Sequence, residues 1–302
     1  MAKSISPLNK YITRPLIYAK SWCLSILPGK LFYGISDLLF LLVFYVIGYR
    51  KKVSKENLKN SFPEKSNKEI NRIAKKFYRH FTDTMLEMFV LFRMNPQRAQ
   101  NFVHFKNKEV VEEYYKQGKN IIGIFGHYGN WELVGLFSAH TKYRVSPVYK
   151  KLASPFFDYE FLKMRKRLGS EPIEMHNTLR ECIRLQKENI PFVLGLLADQ
   201  RPPKKSIHFW MDFLHQDTPI FLGPEKIAQK LNCVTVWVKM TKIRRGHYEA
   251  EFIPINDNPK TAKEFEITKK HVELLEESIQ DEPAYWLWTH KRWKHKRNNI
   301  AN

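Results

Sequence analysis

The segment Asn120-Ile-Ile-Gly-Ile-Phe-Gly-His-Tyr-Gly-Asn-Trp-Glu132 constrains the fold more than any other stretch of the chain. Residues 120–125 form an apolar run of strand length, and Gly126 and Gly129 let the backbone turn sharply behind it. Asn130 then predicts the cap of a helix running through Leu136. An apolar strand that turns straight into a helix is the opening of a βα unit, and the chain downstream repeats that alternation. Val145 to Tyr149, Phe192 to Ala198 and Val234 to Met240 read as strands. Pro155 to Leu168, Thr178 to Lys187 and Glu225 to Leu231 read as helices between or before them. Tyr248 to Ile255 adds an antiparallel edge strand, and Lys263 to Ile279 a final amphipathic helix. The expected fold class is therefore α/β, a layered domain with a mostly parallel sheet flanked by helices.

His127 falls where the strand becomes the helix, and Glu132 follows five positions later. A neutral imidazole there would take a proton from a hydroxyl, while the Glu132 carboxylate fixes its tautomer and stabilises the imidazolium. Spacing alone carries little: the chain has 11 His, so about one chance match is expected, and His104/Glu109, His176/Glu181 and His271/Glu276 share the interval. None of those three follows an apolar strand through a glycine turn. The competing reading of His127 is an imidazole that caps a strand end.

In a parallel sheet, ligands gather beyond the carboxyl ends of the strands. That rule brings together His127, the Asp199-Gln200-Arg201 run after another strand, and Arg165 and Arg167 near a helix end. Arginine offers a fork for phosphate. Asp199 either hydrogen-bonds a ligand or caps the turn after it. The backbone amides of Tyr128 and Gly129, at the expected helix start, are candidates to hold an oxyanion. The chemistry this predicts is direct acyl transfer without an acyl-enzyme. There is no Gly-x-Ser-x-Gly elbow, and Cys23, Cys182 and Cys233 are scattered, form no Cys-x-x-Cys pair and read as small buried hydrophobes in a reducing compartment. No metal and no cofactor are expected.

With 302 residues, 43% of them hydrophobic, the chain can bury one sizeable core. Its formal charge of +21 predicts attraction to anionic surfaces. No zinc-finger spacing, basic region with heptads or aromatic-glycine RNA signature is present, so nucleic acid is not the expected partner. A phosphorylated lipid and an acidic carrier protein match the charge better.

Leu31 to Tyr49 is apolar apart from Asp37 and is bounded by Lys30 and by Arg50-Lys51-Lys52. As a helix, its nineteen residues rise about 28 Å, enough for the hydrocarbon core. Tyr33, Tyr45 and Tyr49 suit an interfacial belt. The alternative is a buried helix of a soluble domain. Asp37 at depth would be costly and calls for shallow insertion, tilt or a partner. The expected division is a membrane-anchor segment at 1–52 and a catalytic domain at 53–302, with a helical lead-in (53–117) and an α/β core (118–297). In the lead-in, Ser66-Asn67-Lys68-Glu69 predicts a capping box and Ile70, Ile73, Phe77, Phe81 and Met85 recur at helical intervals. The stretch from Tyr285 to Arg297 combines four aromatic rings with seven His, Lys or Arg residues. It reads equally as a lipid-facing segment and as an aromatic core strand with a basic tail.

The run Gly126-His127-Tyr128-Gly129-Asn130-Trp131-Glu132 resembles the active-site block of the lipid A biosynthesis acyltransferases, the lauroyl/myristoyl transferases within the wider glycerolipid acyltransferase group. Further blocks follow in the same order. Asn57-Leu58-Lys59-Asn60-Ser61-Phe62-Pro63 resembles an early Asn-Leu…Phe-Pro element, and Arg165-Lys166-Arg167 with Gly169 resembles an arginine block. Ala198-Asp199-Gln200 is similar to a strand end, Phe221-Leu222-Gly223-Pro224 to a glycine turn, and Tyr285 to Lys294 to a closing aromatic-basic signature. The likeness runs from about residue 20 to residue 297. The loop after Gln200, Arg-Pro-Pro-Lys-Lys-Ser-Ile-His-Phe-Trp, fits in position but not in detail, which leaves the acceptor open.

The resemblance implies a His127/Glu132 dyad, a thioester of acyl carrier protein or coenzyme A as co-substrate, and a hydroxyl of a lipid A precursor as acceptor. It further implies that Arg165 or Arg167 holds the acceptor's phosphate, with Asn130, Asp199 and Gln200 as further substrate contacts. The place implied is the bacterial inner membrane, with the catalytic domain on the cytoplasmic face and the bilayer and acyl carrier protein as partners. Other acceptors, a lysophospholipid or an aminolipid, fit the same core. The reading from a different class is a non-catalytic basic protein bound to membrane surfaces.

Overall fold

The apolar run ahead of the glycine turn is β2 (Ile121–Phe125), buried along its whole length near the middle of a seven-stranded sheet in the computed structural model, which describes residues 14–297. Its neighbours are β5 (Phe192–Leu197) and β8 (Val234–Arg244), both parallel to it. The order across the sheet is β1 (Val103–Lys106), β9 (His247–Asn256), β8, β2, β5, β3 (Arg144–Tyr149), β4 (Ile173–Glu174). Within this sheet only the β8–β9 pair is antiparallel. The α/β expectation stands. β9 is not the edge, because the four-residue β1 lies outside it.

Among the described residues ten α-helices accompany this sheet: α1 (Arg14–Ile26), α2 (Gly29–Leu41), α3 (Lys51–Ser61), α4 (Asn67–Leu91), α5 (Pro96–Ala99), α6 (Lys108–Lys116), α7 (Pro155–Arg167), α8 (Thr178–Lys187), α9 (Gly223–Leu231) and α10 (Glu266–Asp281). Side chains alternate across the strands, so each face carries its own core. Ile122, Ile124, Leu194 and Leu196 pack with residues of α4, α8, α9 and α10 on one face. Ile121, Val193, Val236 and Val238 pack with Leu133, Leu136 and Phe137 on the other. The long α4 starts with the predicted capping box, Ser66 and Glu69 each bonding the other's backbone amide. A small antiparallel hairpin, β6 (Trp210–Phe213) and β7 (Gln216–Pro219), occupies the loop beyond Gln200.

Residues 1–13 of the expected anchor segment lie outside the described residues. Within the rest, Gly29–Ile47 is long and apolar enough to cross a membrane; its last turn, Leu42–Ile47, is π-helical and stops at Gly48 in the left-handed region. It is amphipathic by packing. Phe32, Ser36, Phe40 and Phe44, spaced four apart, are buried, with α2 lying along α4. Leu31, Leu38, Leu41, Leu42, Val46 and Ile47 are exposed. Asp37 has the partner that its position called for: its oxygens accept from Arg245 at 2.9 and 3.0 Å and lie 3.1 Å from Arg79.

Candidate active site

β2 and β5 run side by side with Phe125 opposite Leu197, so His127 and Asp199 each lie two residues beyond the same rung. The consequence is a direct pair. His127 Nδ1 is 2.7 Å from Asp199 Oδ1, and the His127 backbone N–H donates to Asp199 Oδ2 at 2.9 Å. The indole of Trp286 donates to that second oxygen at 2.8 Å. Burial by itself would raise the Asp199 carboxyl, but the charge and hydrogen bonds of His127 and the Trp286 indole outweigh it and hold the group at about 2. An ionised carboxylate on Nδ1 fixes the proton there and leaves Nε2 as the acceptor.

Glu132 does not meet His127's ring nitrogens. Residues 131–140 form 3-10 turns instead of the expected α-helix, and the Asn130 side chain makes no cap. The Glu132 carboxylate takes a two-pronged bond from Arg165, at 2.6 and 3.0 Å. The sequence reading that gave Glu132 the imidazole is therefore corrected: Asp199 occupies that position, and Glu132 holds Arg165. Asn130 is fully buried, donating to Glu87 at 2.9 Å.

Arg167 is also displaced from its expected role. Its guanidinium caps the end of α4, donating to the carbonyls of Leu91 and Met94, where four backbone oxygens lack helical partners. The Gly129 amide, expected to face an oxyanion, donates to the Tyr285 carbonyl at 3.0 Å, so of that pair only Tyr128 remains a candidate. Gly129 itself has φ +61, and a Cβ there would stand 2.7 Å from Met240, which explains glycine at this turn. Gln200 is where the reading put it: its amide nitrogen lies 3.4 and 3.3 Å from Nδ1 and Nε2 of His127. Near-equal distances place that group over the ring, not in line with either lone pair. Trp131 meets the ring edge to face, 5.0 Å between centroids.

His127, 17% exposed, lines a cavity of about 730 Å³ together with Trp131, Glu132, Arg165, Gln200, Arg201 and His290. Trp131, Glu132, Val148, Arg165 and Leu197 also line a narrow apolar slot between the sheet and the 3-10 segment. Its floor contains Gly123 and Gly195, which face each other across β2 and β5 and leave the sheet without side chains there.

Sequence reasoning gave no role to His290, Trp286 or Asn57. Asn57 Nδ2 donates to the carbonyls of both Trp288 and His290 at 2.9 Å, so the early Asn-Leu element clamps the closing aromatic segment. Trp286, Trp288 and Trp293 are buried, the core alternative for that stretch. Cys182 and Cys233 are buried thiols pushed up to about 12 by desolvation, whereas Cys23 is exposed. Among the described residues no cluster of His, Cys, Asp and Glu has the form of a metal site.

Fold and site have the form of an α/β catalytic domain, with an oriented imidazole at a strand end above a mixed polar and apolar cavity. The chain belongs to the bacterial lipid A biosynthesis acyltransferase family, whose model matches residues 2–295. Among curated proteins it is similar to the lipid A biosynthesis myristoyltransferase of Escherichia coli (strain K12), 24% identical over 113 residues that cover 37% of this chain and 35% of that one. It is similar to the same degree to the lipid A biosynthesis acyltransferase 2 of Shigella flexneri, with 36% of that protein covered. The aligned stretch thus spans about a third of the length of these relatives.

Proposed function

We propose that the protein transfers a fatty acyl chain from a thioester, carried by acyl carrier protein or coenzyme A, to a hydroxyl of a phosphorylated lipid A precursor at the cytoplasmic face of the bacterial inner membrane. The observation that carries the reading is the His127–Asp199 pair opening onto a cavity continuous in its lining with an apolar slot. His127 Nε2 removes the proton from the acceptor hydroxyl. The alkoxide attacks the thioester carbonyl, and the tetrahedral oxyanion collapses to expel the thiolate, which takes the proton back from the imidazolium. Asp199 stabilises that imidazolium, a role the sequence reading had given to Glu132. The Tyr128 amide is the remaining backbone candidate for the oxyanion. The slot over Gly123 and Gly195 accepts the hydrocarbon end of a substrate, and the exposed apolar face of Gly29–Ile47 sits in the membrane.

The test is mass spectrometry of membrane lipids from matched cells with the intact gene, a deletion, and His127→Ala at equal protein level. Loss of one acyl chain from lipid A in both altered strains is expected. A change confined to another lipid class would overturn the acceptor, and an unchanged lipid profile would overturn the enzyme.

A further inference from the structure

The carboxylates that line the catalytic cavity are already engaged: Glu132 grips Arg165, and Asp158 accepts from the Leu152 amide at 2.9 Å. The same lining carries Lys150, Arg201, His290 and His295. Arg201 gives Nη1 to the Lys291 carbonyl at 2.9 Å, and among the described residues it has no carboxylate partner. The Nε2 atom of His290 is buried without a hydrogen-bond partner. Arg292, outside the lining but within reach of the charges of Arg201 and Asp199, is only 2% exposed, and its Nε and Nη1 are likewise unpartnered. A buried cation with idle donors is costly unless an anion reaches it. The one nearby carboxylate, Asp199, is committed to His127 and Trp286.

We propose that the Arg201–His290–His295 wall, with Arg292 within reach of its charge, is the seat of a phosphate group belonging to one of the two substrates. The Arg201 guanidinium, with the His295 imidazole beside it in the lining, supplies charge-assisted donors to one phosphate, a match that Arg165 and Arg167 can no longer offer because their forks are occupied. Burial pushes His290 down to about 4, with Arg201 and Arg292 adding to it against Asp199; an arriving phosphate would reverse that balance. The seat is held beside the base and not on it, since Arg201 follows by two residues the carboxylate that orients His127. The shared chemistry has two sources, the phosphopantetheine of the donor and the phosphate of the acceptor. The proposal rests on the acyl-transfer reading for its source, but not for the site.

The experiment uses the full chain in detergent and has two arms. The first follows line broadening of inorganic phosphate by phosphorus NMR. Broadening is expected with the wild type and with Arg72→Gln, a control on the exposed side of α4, and is expected to be lost in Arg201→Gln and partly kept in Arg201→Lys. The second compares KM for matched pairs: phosphopantetheine against pantetheine thioester, and phosphorylated against dephosphorylated acceptor. Wild type should favour the phosphate-bearing member of one pair by about 10- to 100-fold, the worth of a charge-assisted contact, and Arg201→Gln should bring that ratio to near one. The pair affected names the source. Broadening that is the same in wild type and Arg201→Gln, or KM ratios untouched in both pairs, would overturn the seat. A wild type that broadens phosphate but transfers no acyl group to any acceptor would sink the acyl-transfer reading and leave the seat standing.

Discussion

Two of the buried carboxylate centres in this molecule differ in what stands beside them, and only the first orients an imidazole that borders the large cavity. Around Asp199 the partners are His127 and Trp286, and the imidazole beyond them borders the large cavity. Around Asp83 and Glu87, between α2, α4 and the β8–β9 hairpin, every carboxylate oxygen is matched. Asp83 accepts from Ser36 at 2.7 Å, Lys242 at 3.1 Å and Arg245 at 2.7 Å. Glu87 accepts from Tyr33, Tyr248 and Asn130 at 2.8 to 2.9 Å. The sealed centre holds more charges than the open one, so density of polar groups does not mark the chemistry. The mark is a group with one face satisfied and the other free to meet a ligand. The sealed centre instead joins elements of the fold. It ties Asp37 of the apolar helix, through Arg245, to Asp83, and reaches the turn after His127 through His80, whose Nε2 is 3.3 Å from the Gly129 carbonyl, and through Asn130.

The largest expected effects break the comparison at its two centres. His127→Ala and Asp199→Asn should each lower kcat by about 10²- to 10⁴-fold, the usual contribution of general-base catalysis, with His127→Ala melting close to wild type. Asp83→Ala should do the opposite. It strands the buried ammonium of Lys242, while Arg245 keeps Asp37, and should cost about 3–5 kcal/mol of stability, read as a fall in the thermal midpoint. Any surviving folded fraction should turn over at near the wild-type kcat. If Asp83→Ala instead melted like wild type and lost kcat, the sealed centre would belong to the chemistry and the contrast would fail.

A smaller effect sharpens the assignment within the open centre. Because Glu132 holds Arg165 and not the imidazole, Glu132→Gln should slow turnover by no more than about 10²-fold, the scale of a misplaced neighbour, and less than Asp199→Asn does. The reverse order of the two variants, measured as kcat at saturating substrate, would restore Glu132 as the partner of the base.

Why the sequence named Glu132 and not Asp199 follows from what each relation depends on. Glu132 reads as the partner of His127 because it follows closely in the chain, but residues 131–140 take 3-10 turns and the Glu132 carboxylate meets Arg165 of α7. Asp199 meets His127 through the pairing of β2 with β5, and strand register between distant segments is not written in either segment. The strands themselves were readable. Residues 121–125 and 192–197 are continuous apolar runs, and 234–240 is apolar apart from Thr235 and Lys239, because the centre of the sheet is buried on both faces. β1, four residues within a helical region, offered no such run. The β6–β7 hairpin hid for another reason: its turn residues, Leu214 and His215, have φ of 53° and 59°, a conformation normally announced by Gly, Asn or Asp.

The least effect expected is the acid sensitivity that a buried imidazole gives each centre. His271, on α10 near Asp199, is buried with its Nε2 unpartnered, and desolvation holds it at about 4 against an ordinary 6.5. His80, in the sealed centre, is pushed well below its ordinary value by burial and by the charge of Lys242. For both, the unfolded chain binds a proton that the folded chain refuses once the pH drops below 6.5, so stability falls with pH by up to about 1.4 kcal/mol per unit for each ring. For His271 that loss levels off near pH 4, where the folded ring also protonates. His271→Leu should therefore flatten the thermal midpoint between pH 6.5 and pH 4 and change nothing below, and His80→Leu should likewise flatten it as the pH falls through 6.5. Midpoints followed by tryptophan fluorescence decide this, and parallel curves for wild type and both variants would show that neither ring is held neutral by its surroundings.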